Sequence, residues 1–292
     1  MASLKSVRTK ISGVHKTRQI TKAMNMVASA RLRGAQSRME RFRPYTAKFR
    51  EMLLELSGKT EEGAHPLLAE RPAPETCGII LATSDRGLCG GFNAGLIAEA
   101  LRLARKKEAE GLGIRFYNIG RKGREAIKKI FPAQASLHQS NLEPLSFQTA
   151  GKLGEEIIEG YLSGLLDQVF IVYGEFVSLA RQTPRTRSIL PLKAPESEKG
   201  SGGRQAAEYL YEPGAQELLA ELLPRYIKVL IYHGLLDTSA SEHAARMTAM
   251  DNATRNCDEI AESLTLLYNK TRQSAITTDL IDIVSGAEAL KG

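Results

Sequence analysis

From Leu235 to Ser285 the chain runs for fifty-one residues without a glycine or a proline. One helix of that length extends on the order of 75 Å at 1.5 Å per residue, far more than a globular domain needs. Met250, Ala253, Cys257, Ile260, Leu264 and Leu267 recur along it at alternating steps of three and four, a stripe that demands a partner helix. The stripe turns polar from Asn269 to Ser274 and resumes with Ile276, Leu280, Ile283, Ala287 and Leu290. Upstream, Pro213-Gly214 reads as the entry turn of this helical zone, and Pro224 and Gly234 are expected to divide its first part.

The other end of the sequence supplies the partner. Residues 1–57 read as a second long helix with a narrow seven-residue seam. Leu4, Val7, Ile11 and Val14 open the seam, and Ala28, Leu32, Ala35, Met39, Phe42, Phe49, Leu53 and Leu56 continue it. Arg18, Thr21, Asn25 and Thr46 break it, and Pro44 predicts a kink or local break. Antiparallel pairing with partner positions adding to about 290 would set Leu4 beside Ala287–Leu290 and both chain ends at one tip. It would also set the polar break at Arg18–Asn25 beside the break at Asn269–Ser274.

Between the helices, residues 75–195 alternate short apolar runs with helix-like stretches. Cys77–Thr83 and Ile114–Ile119 read as strands, with helices at Ala94–Lys107 and Gly123–Ile130. Gly154–Leu166 reads as a further helix and Gln168–Tyr173 as a further strand, so a small α/β domain with a mainly parallel sheet is expected. Pro195–Gly203 reads as a linker or exposed loop. The zones are therefore 1–57, 75–195, a linker over 196–214, and 215–292.

Charge is polarised along the chain. Residues 1–50 hold thirteen Lys or Arg against one acid, Glu40, a local charge of +12 that leaves the remaining 242 residues at −5 of the total +7. Such an end wants an acidic partner: nucleic acid, anionic lipid or an acidic protein surface. Residues 1–41 contain no aromatic side chain, and the chain contains no Trp, so base stacking has no platform. Lys and Arg on the outside of a helix pair fit an acidic protein surface better. No apolar stretch reaches the roughly 18 residues of a membrane span. The opening segment lacks the apolar core of a secretory signal and reads as mature, cytosolic protein.

Chemistry-bearing constellations are sparse. Cys77, Cys89 and Cys257 are odd in number and show no CxxC spacing, so small buried thiols are expected rather than a disulfide or zinc framework. His15, His65, His138, His233 and His243 show no paired-ligand spacing, and His15 and His243 are expected on partly exposed helices. Asp85 and Cys89 lack a nearby His to complete a nucleophilic site. The loop Ser84–Asn93 (SDRGLCGGFN) follows a strand and precedes a helix, the context of a phosphate cradle. Its glycines fit neither GxGxxG nor GxxxxGK[ST], so a tight turn approaching a partner protein is the better reading.

Seven runs carry a family resemblance: QITKAM at 19–24 with Met26-Val-Ala, SDRGLCGGFN at 84–93, YLYEP at 209–213, SEHAARM at 241–247, YNKTRQ at 268–273, Ile276-Thr, and IVSGA at 283–287. In order and spacing they resemble the γ subunits of F-type ATP synthases over nearly the whole chain. The resemblance implies an α/β plus coiled-coil fold, in which N- and C-terminal helices pair antiparallel as a shaft around a central Rossmann-like α/β domain. It implies a central rotary stalk with no catalytic residue, cofactor or metal of its own. Partners would be the α and β subunits, the ε subunit and the membrane c-ring, with no nucleic acid, and membrane association only through the complex. The location implied is peripheral, at the cytoplasmic face of a bacterial cell membrane. Residue by residue, Arg272 and Gln273 match positions that engage a β catch loop. Lys22 and Met24 match the section facing an acidic β lever, and the loop around Cys89 matches a loop near that lever. Ile276, Leu280, Ile283, Val284 and Leu290 would form the apolar shaft tip. Chloroplast-type relatives insert a redox cysteine pair before the last helix. Here Leu192–Glu208 is short and lacks cysteine, which points to the bacterial type.

Overall fold

The structure is a computed structural model that describes residues 4–57, 65–132, 138–192 and 214–289. Leu290 and most of the expected linker lie outside the described residues. Ten elements follow in order: α1 (Leu4–Ser57), β1 (Thr76–Ala82), α2 (Phe92–Ala109), β2 (Gly113–Ile119), α3 (Arg121–Ile130), β3 (His138–Ser140), α4 (Phe147–Leu162), β4 (Gln168–Phe176), β5 (Gln182–Leu190) and α5 (Ala215–Ala289). The chain divides into two compact units, one of residues 29–246 and one of residues 1–28 with 247–292.

In the larger unit the sheet order is β3-β2-β1-β4-β5. The first four strands are parallel, and β5 closes the edge antiparallel to β4. This is half of a doubly wound sheet, with its order reversing between β1 and β4. Strand β1 is apolar throughout because both its faces are covered. Cys77, Ile79 and Leu81 enter a core with α2 and α3, while Ile80 and Ala82 enter a second core with α4 and the helices α1 and α5. Edge strand β5 has no such pattern. Its QTPRTRS stretch is polar and contains Pro184, which an edge tolerates, so sequence periodicity does not reveal it.

Both long helices run through the expected interruptions. Pro44 lies inside α1, and Pro224 and Gly234 lie inside α5. Gly234 has a packing reason rather than a breaking one. A Cβ there would come within 2.9 Å of Ile171 Cδ1, so the glycine lets α5 lie close on β4. In this unit α1 and α5 pair antiparallel through aromatic contacts, Phe42 against Tyr232 and Phe49 against Tyr226. Ala35, Met39, Leu236 and Ala240 form the next layer.

In the smaller unit the pairing is also antiparallel, but it is polar. Arg18 pairs with Asp258 through its Nε. The Thr21 and Thr254 hydroxyls lie 2.7 Å apart, and Asn25 Nδ2 donates to the Met247 carbonyl at 2.9 Å. Three of the four residues that interrupt the α1 seam therefore build one ladder. Partner numbers add to between 272 and 276, which corrects the expected register by about 15 residues, roughly four helical turns. The expected match of polar break to polar break fails because Arg18, Thr21 and Asn25 find a carboxylate, a hydroxyl and a backbone carbonyl within the apolar stretch of α5. This register puts Leu4 level with Thr271, and Arg272–Ala289 continues beyond it without an α1 partner.

Disulfide trapping checks the register. Thr21→Cys with Thr254→Cys should crosslink under mild oxidation, whereas Thr21→Cys with Asn269→Cys should not. The reverse outcome would restore the other alignment.

Candidate functional site

In a doubly wound sheet, ligands bind beyond the carboxyl ends of the strands where the strand order reverses. Here α5 occupies that position. The Gly174 N–H, on β4 beyond its last pairing with β1, donates to Thr238 Oγ1 at 3.2 Å, and Ser241 Oγ donates to the Gly174 carbonyl at 2.9 Å. A Cβ on residue 174 would stand 2.6 Å from the Phe92 ring, so only glycine admits this bracket. Small side chains, Ser239, Ala240 and Ala244, keep the neighbouring part of α5 buried.

The Gly-rich loop beside it is also internally filled. Asp85 accepts from three backbone N–H groups: Arg121 at the start of α3, Leu142 and Glu143, all within 3.2 Å. These are donors of the kind that hold a phosphate at a helix start. The chain's own carboxylate satisfies them, which argues against nucleotide binding here. Gly120, with φ +94°, permits the turn into α3, where a Cβ would lie 2.1 Å from the Thr83 carbonyl oxygen.

Cys89 is buried, as expected of a small thiol, within the loop that carries it. Its side chain is buried, with 2% of the residue exposed, and Asn93 Nδ2 donates to its sulfur at 3.2 Å. Leu88 takes a left-handed φ of 66° and is 63% exposed, so the loop presents Leu88 instead. The physical reason is local. Ser84, Cys89 and Asn93 satisfy one another inside the turn, which leaves Leu88 at its crest.

Arg246 fastens this loop to α5. It pairs with Glu242 at 2.6 Å and donates to the Arg86 and Gly87 carbonyls at 3.4 and 3.2 Å. Burial pushes the Glu242 carboxyl up, and the Arg246 charge opposes that shift. His243 is buried as well, contrary to the exposure expected for it, with Nε2 3.1 Å from Glu143 Oε1. Burial lowers its basicity, against the pull of Glu143. Arg31 reaches the other Glu143 oxygen at 3.2 Å. A cavity of about 240 Å³ is lined by Arg31, Asp85, Arg86, Arg121, Asn141, Glu143, Glu242 and Arg246. Glu143, Glu242 and His243 bring ligand-type atoms within 4.8 Å of one another. Arg31 and Arg246 already neutralise the two carboxylates, so the trio is a poor cation trap.

A second buried acid lies farther along α5. Asp237 makes no hydrogen bond among the described residues, and His233 Nδ1 stands 3.7 Å away. Burial raises its pKa to about 7, with Glu175 adding to the rise and Arg43 and Arg187 opposing it. His233 is shifted down, chiefly by burial, so burial disfavours the charged form of both groups.

In the smaller unit Lys22 is exposed and Met24 half-buried on α1. Lys5, Arg8, Lys10, Lys16 and Lys22 are all exposed and make no ion pair among the described residues. Lys22 lies level with Ala253, about 28 Å along α5 from Arg272 at 1.5 Å per residue. The two sets of expected contact residues are therefore not brought together. Arg272 and Gln273 are exposed, as is every residue from Ile276 to Ala289, including Leu280, Ile283 and Val284. No helix of the described residues is long and apolar enough to cross a membrane.

A helix pair that carries a doubly wound domain with its crevice filled from within defines a stalk-like subunit class. The family model described as ATP synthase matches residues 3–290. An ATP synthase gamma chain from Nitratidesulfovibrio vulgaris strain Hildenborough is 60% identical over 292 residues, covering all of both chains. One from Maridesulfovibrio salexigens is 56% identical, again over all of both. The chain belongs to the ATP synthase γ-chain family. Among solved structures, the central stalk and c-ring of Tetrahymena thermophila mitochondrial ATP synthase matches at TM-score 0.59 and 25% identity, over 80% of this chain and 99% of that one. A chain of the Euglena gracilis mitochondrial enzyme has the same fold, at TM-score 0.66 and 21% identity, over 98% and 94% of the two chains.

Two measurements probe the buried charges. Arg246→Ala should cost about 3–5 kcal/mol in urea unfolding because it strands buried Glu242, and adding Glu242→Gln should recover much of that loss. For Asp237, the raised folded pKa means stability is highest below pH ~4 and declines as pH rises through about 7. Asp237→Asn should therefore raise the unfolding free energy by ~2–4 kcal/mol at pH 8 and leave it nearly unchanged at pH 4. A gain of equal size at both pH values would exclude titration as the cause.

Proposed function

We propose that this chain is the central rotary stalk of an F-type ATP synthase. It transmits torque between a membrane c-ring and catalytic β subunits, so that ion flow is coupled to ATP synthesis or hydrolysis. The observation that carries this reading is the unpaired end of α5, which leaves Ile276, Leu280, Ile283 and Val284 exposed on a single helix. An apolar surface of this kind marks a contact with another protein. Apolar packing is weakly directional, which suits a shaft end turning inside a sleeve of α and β subunits.

Catalysis belongs to the β subunits in this reading, and the chain has no active site of its own. The Asp85-filled cradle and the α5-filled crevice support that assignment. Arg272 and Gln273 form a transient polar detent against a β loop. Lys22 and Met24 face an acidic β lever, supported by the unpaired cations along α1. The Gly-rich loop meets the same lever through Leu88, with Cys89 buried behind it. The ε subunit and the c-ring engage the α/β foot, and the complex holds the chain at the cytoplasmic face of the bacterial membrane.

In purified, reassembled complexes Arg272→Ala should leave assembly intact and reduce coupled ATP synthesis about tenfold, the equivalent of one lost charge-assisted hydrogen bond. Unchanged turnover would reject the detent. Failure of the chain to co-purify with an α/β hexamer would reject the stalk itself.

A further inference from the structure

Glu143 stands where three parts of the larger unit meet. Its carboxylate takes one bond from each long helix. Arg31 of α1 reaches Oε2 at 3.2 Å, and His243 Nε2 of α5 lies 3.1 Å from Oε1. Arg31 and His243 are level with each other across the helix pair. Their numbers add to 274, as do those of Phe42 and Tyr232, which touch edge to face in the same unit. One planar group therefore spans both helices at a single height.

The backbone of Glu143 is held from the sheet side. Its N–H donates to Asp85 Oδ2 at 3.0 Å, and Asp85 Oδ1 takes the N–H groups of Leu142 and Arg121. Asp85 belongs to the turn after β1 and Arg121 opens α3, so the residue is tied to the α/β domain before its side chain leaves it. The α5 arm has a defined proton. His243 is 1% exposed and its Nδ1 has no hydrogen-bond partner among the described residues, so a proton there would be stranded. Nε2 carries the proton and donates it to the carboxylate.

As a contribution to stability the Arg31–Glu143 pair counts for little, since both side chains are partly exposed. Its geometry matters more. If the two helices twist together against the domain, the carboxylate stays with Asp85 while Arg31 and His243 are carried off line. Hydrogen bonds weaken steeply with distance and angle, and those to an ionised group are the strongest. The same carboxylate opposes sliding of one helix past the other.

We propose that Glu143 is a positioning residue for torque transfer, clamping the α/β domain to α1 and α5 at one level so that the helix pair turns with the domain. This rests on the stalk reading, which supplies the torque, but every contact lies within this chain.

The test uses purified, reassembled complexes with the catalytic head fixed to a surface and a bead on the α/β domain. The angular variance of the bead, while the head pauses between ATP-driven steps, reads the stiffness of the joint. Glu143→Ala should raise that variance about twofold, and Arg31→Met, which removes the α1 arm alone, should give about half that rise. His243→Gln should leave it at the value of the unsubstituted chain, because the glutamine amide nitrogen can donate in place of Nε2. An unchanged variance in Arg31→Met overturns the clamp, even where Glu143→Ala fails to assemble. So does any rise in His243→Gln beyond that of Arg31→Met, or a rise confined to samples with impaired assembly. Rotation with unaltered variance sinks the clamp alone, and absence of rotation by the unsubstituted chain sinks the stalk reading.

Discussion

The seat of α5 on β4 is the constraint on which the larger unit depends. Gly174 and Gly234 remove the Cβ atoms that would hold helix and sheet apart, and Thr238 and Ser241 then bond the buried Gly174 N–H and carbonyl. A doubly wound sheet normally leaves this place open for a ligand. Here a helix of the same chain fills it instead. The same substitution recurs next to it, where Asp85 takes the three backbone donors that an anion would otherwise hold.

Around that seat the chain buries charges that a domain of its size could do without. Glu242, Arg246, His243 and Asp237 all lie within ten residues of α5. Arg246 both neutralises Glu242 and holds the Arg86 and Gly87 carbonyls, so one side chain fixes the loop to the helix. Hydrogen-bonded buried ions are costly to separate, because breaking the pair strands a charge. They add less net stability than apolar packing would, but they specify one position for the loop. The loop therefore presents Leu88 from one defined position.

Helix existence and antiparallel direction were legible in the sequence because periodicity survives over many turns. Register was not. Thr254 and Asp258 flank the apolar positions Ala253 and Cys257, so they look like ordinary solvated side chains until Thr21 and Arg18 meet them. The third partner, the Met247 carbonyl, has no sequence signal. In the α/β domain the buried strands were legible from apolar runs. The polar edge β5 was not, since only its pairing with β4 makes it a strand. The Gly-rich loop was visible as a turn, but which side chain crests it depends on the φ of Leu88 and on the Ser84–Asn93 bonds.

The two units also pair the same helices by different means. Where α1 and α5 cross the domain, aromatic and aliphatic side chains interlock, and register is held by shape. In the smaller unit no sheet supports the pair, and an apolar seam alone could slip by a turn at modest cost. Polar residues at seam positions prevent that, because slipping leaves donors and acceptors unmatched. Arg18, Thr21 and Asn25 thus trade some stability for a defined alignment of the two helices. Beyond Thr271 that requirement ends. There α5 continues alone with apolar side chains facing outward, where a single helix has no register to keep and its surroundings must supply the packing.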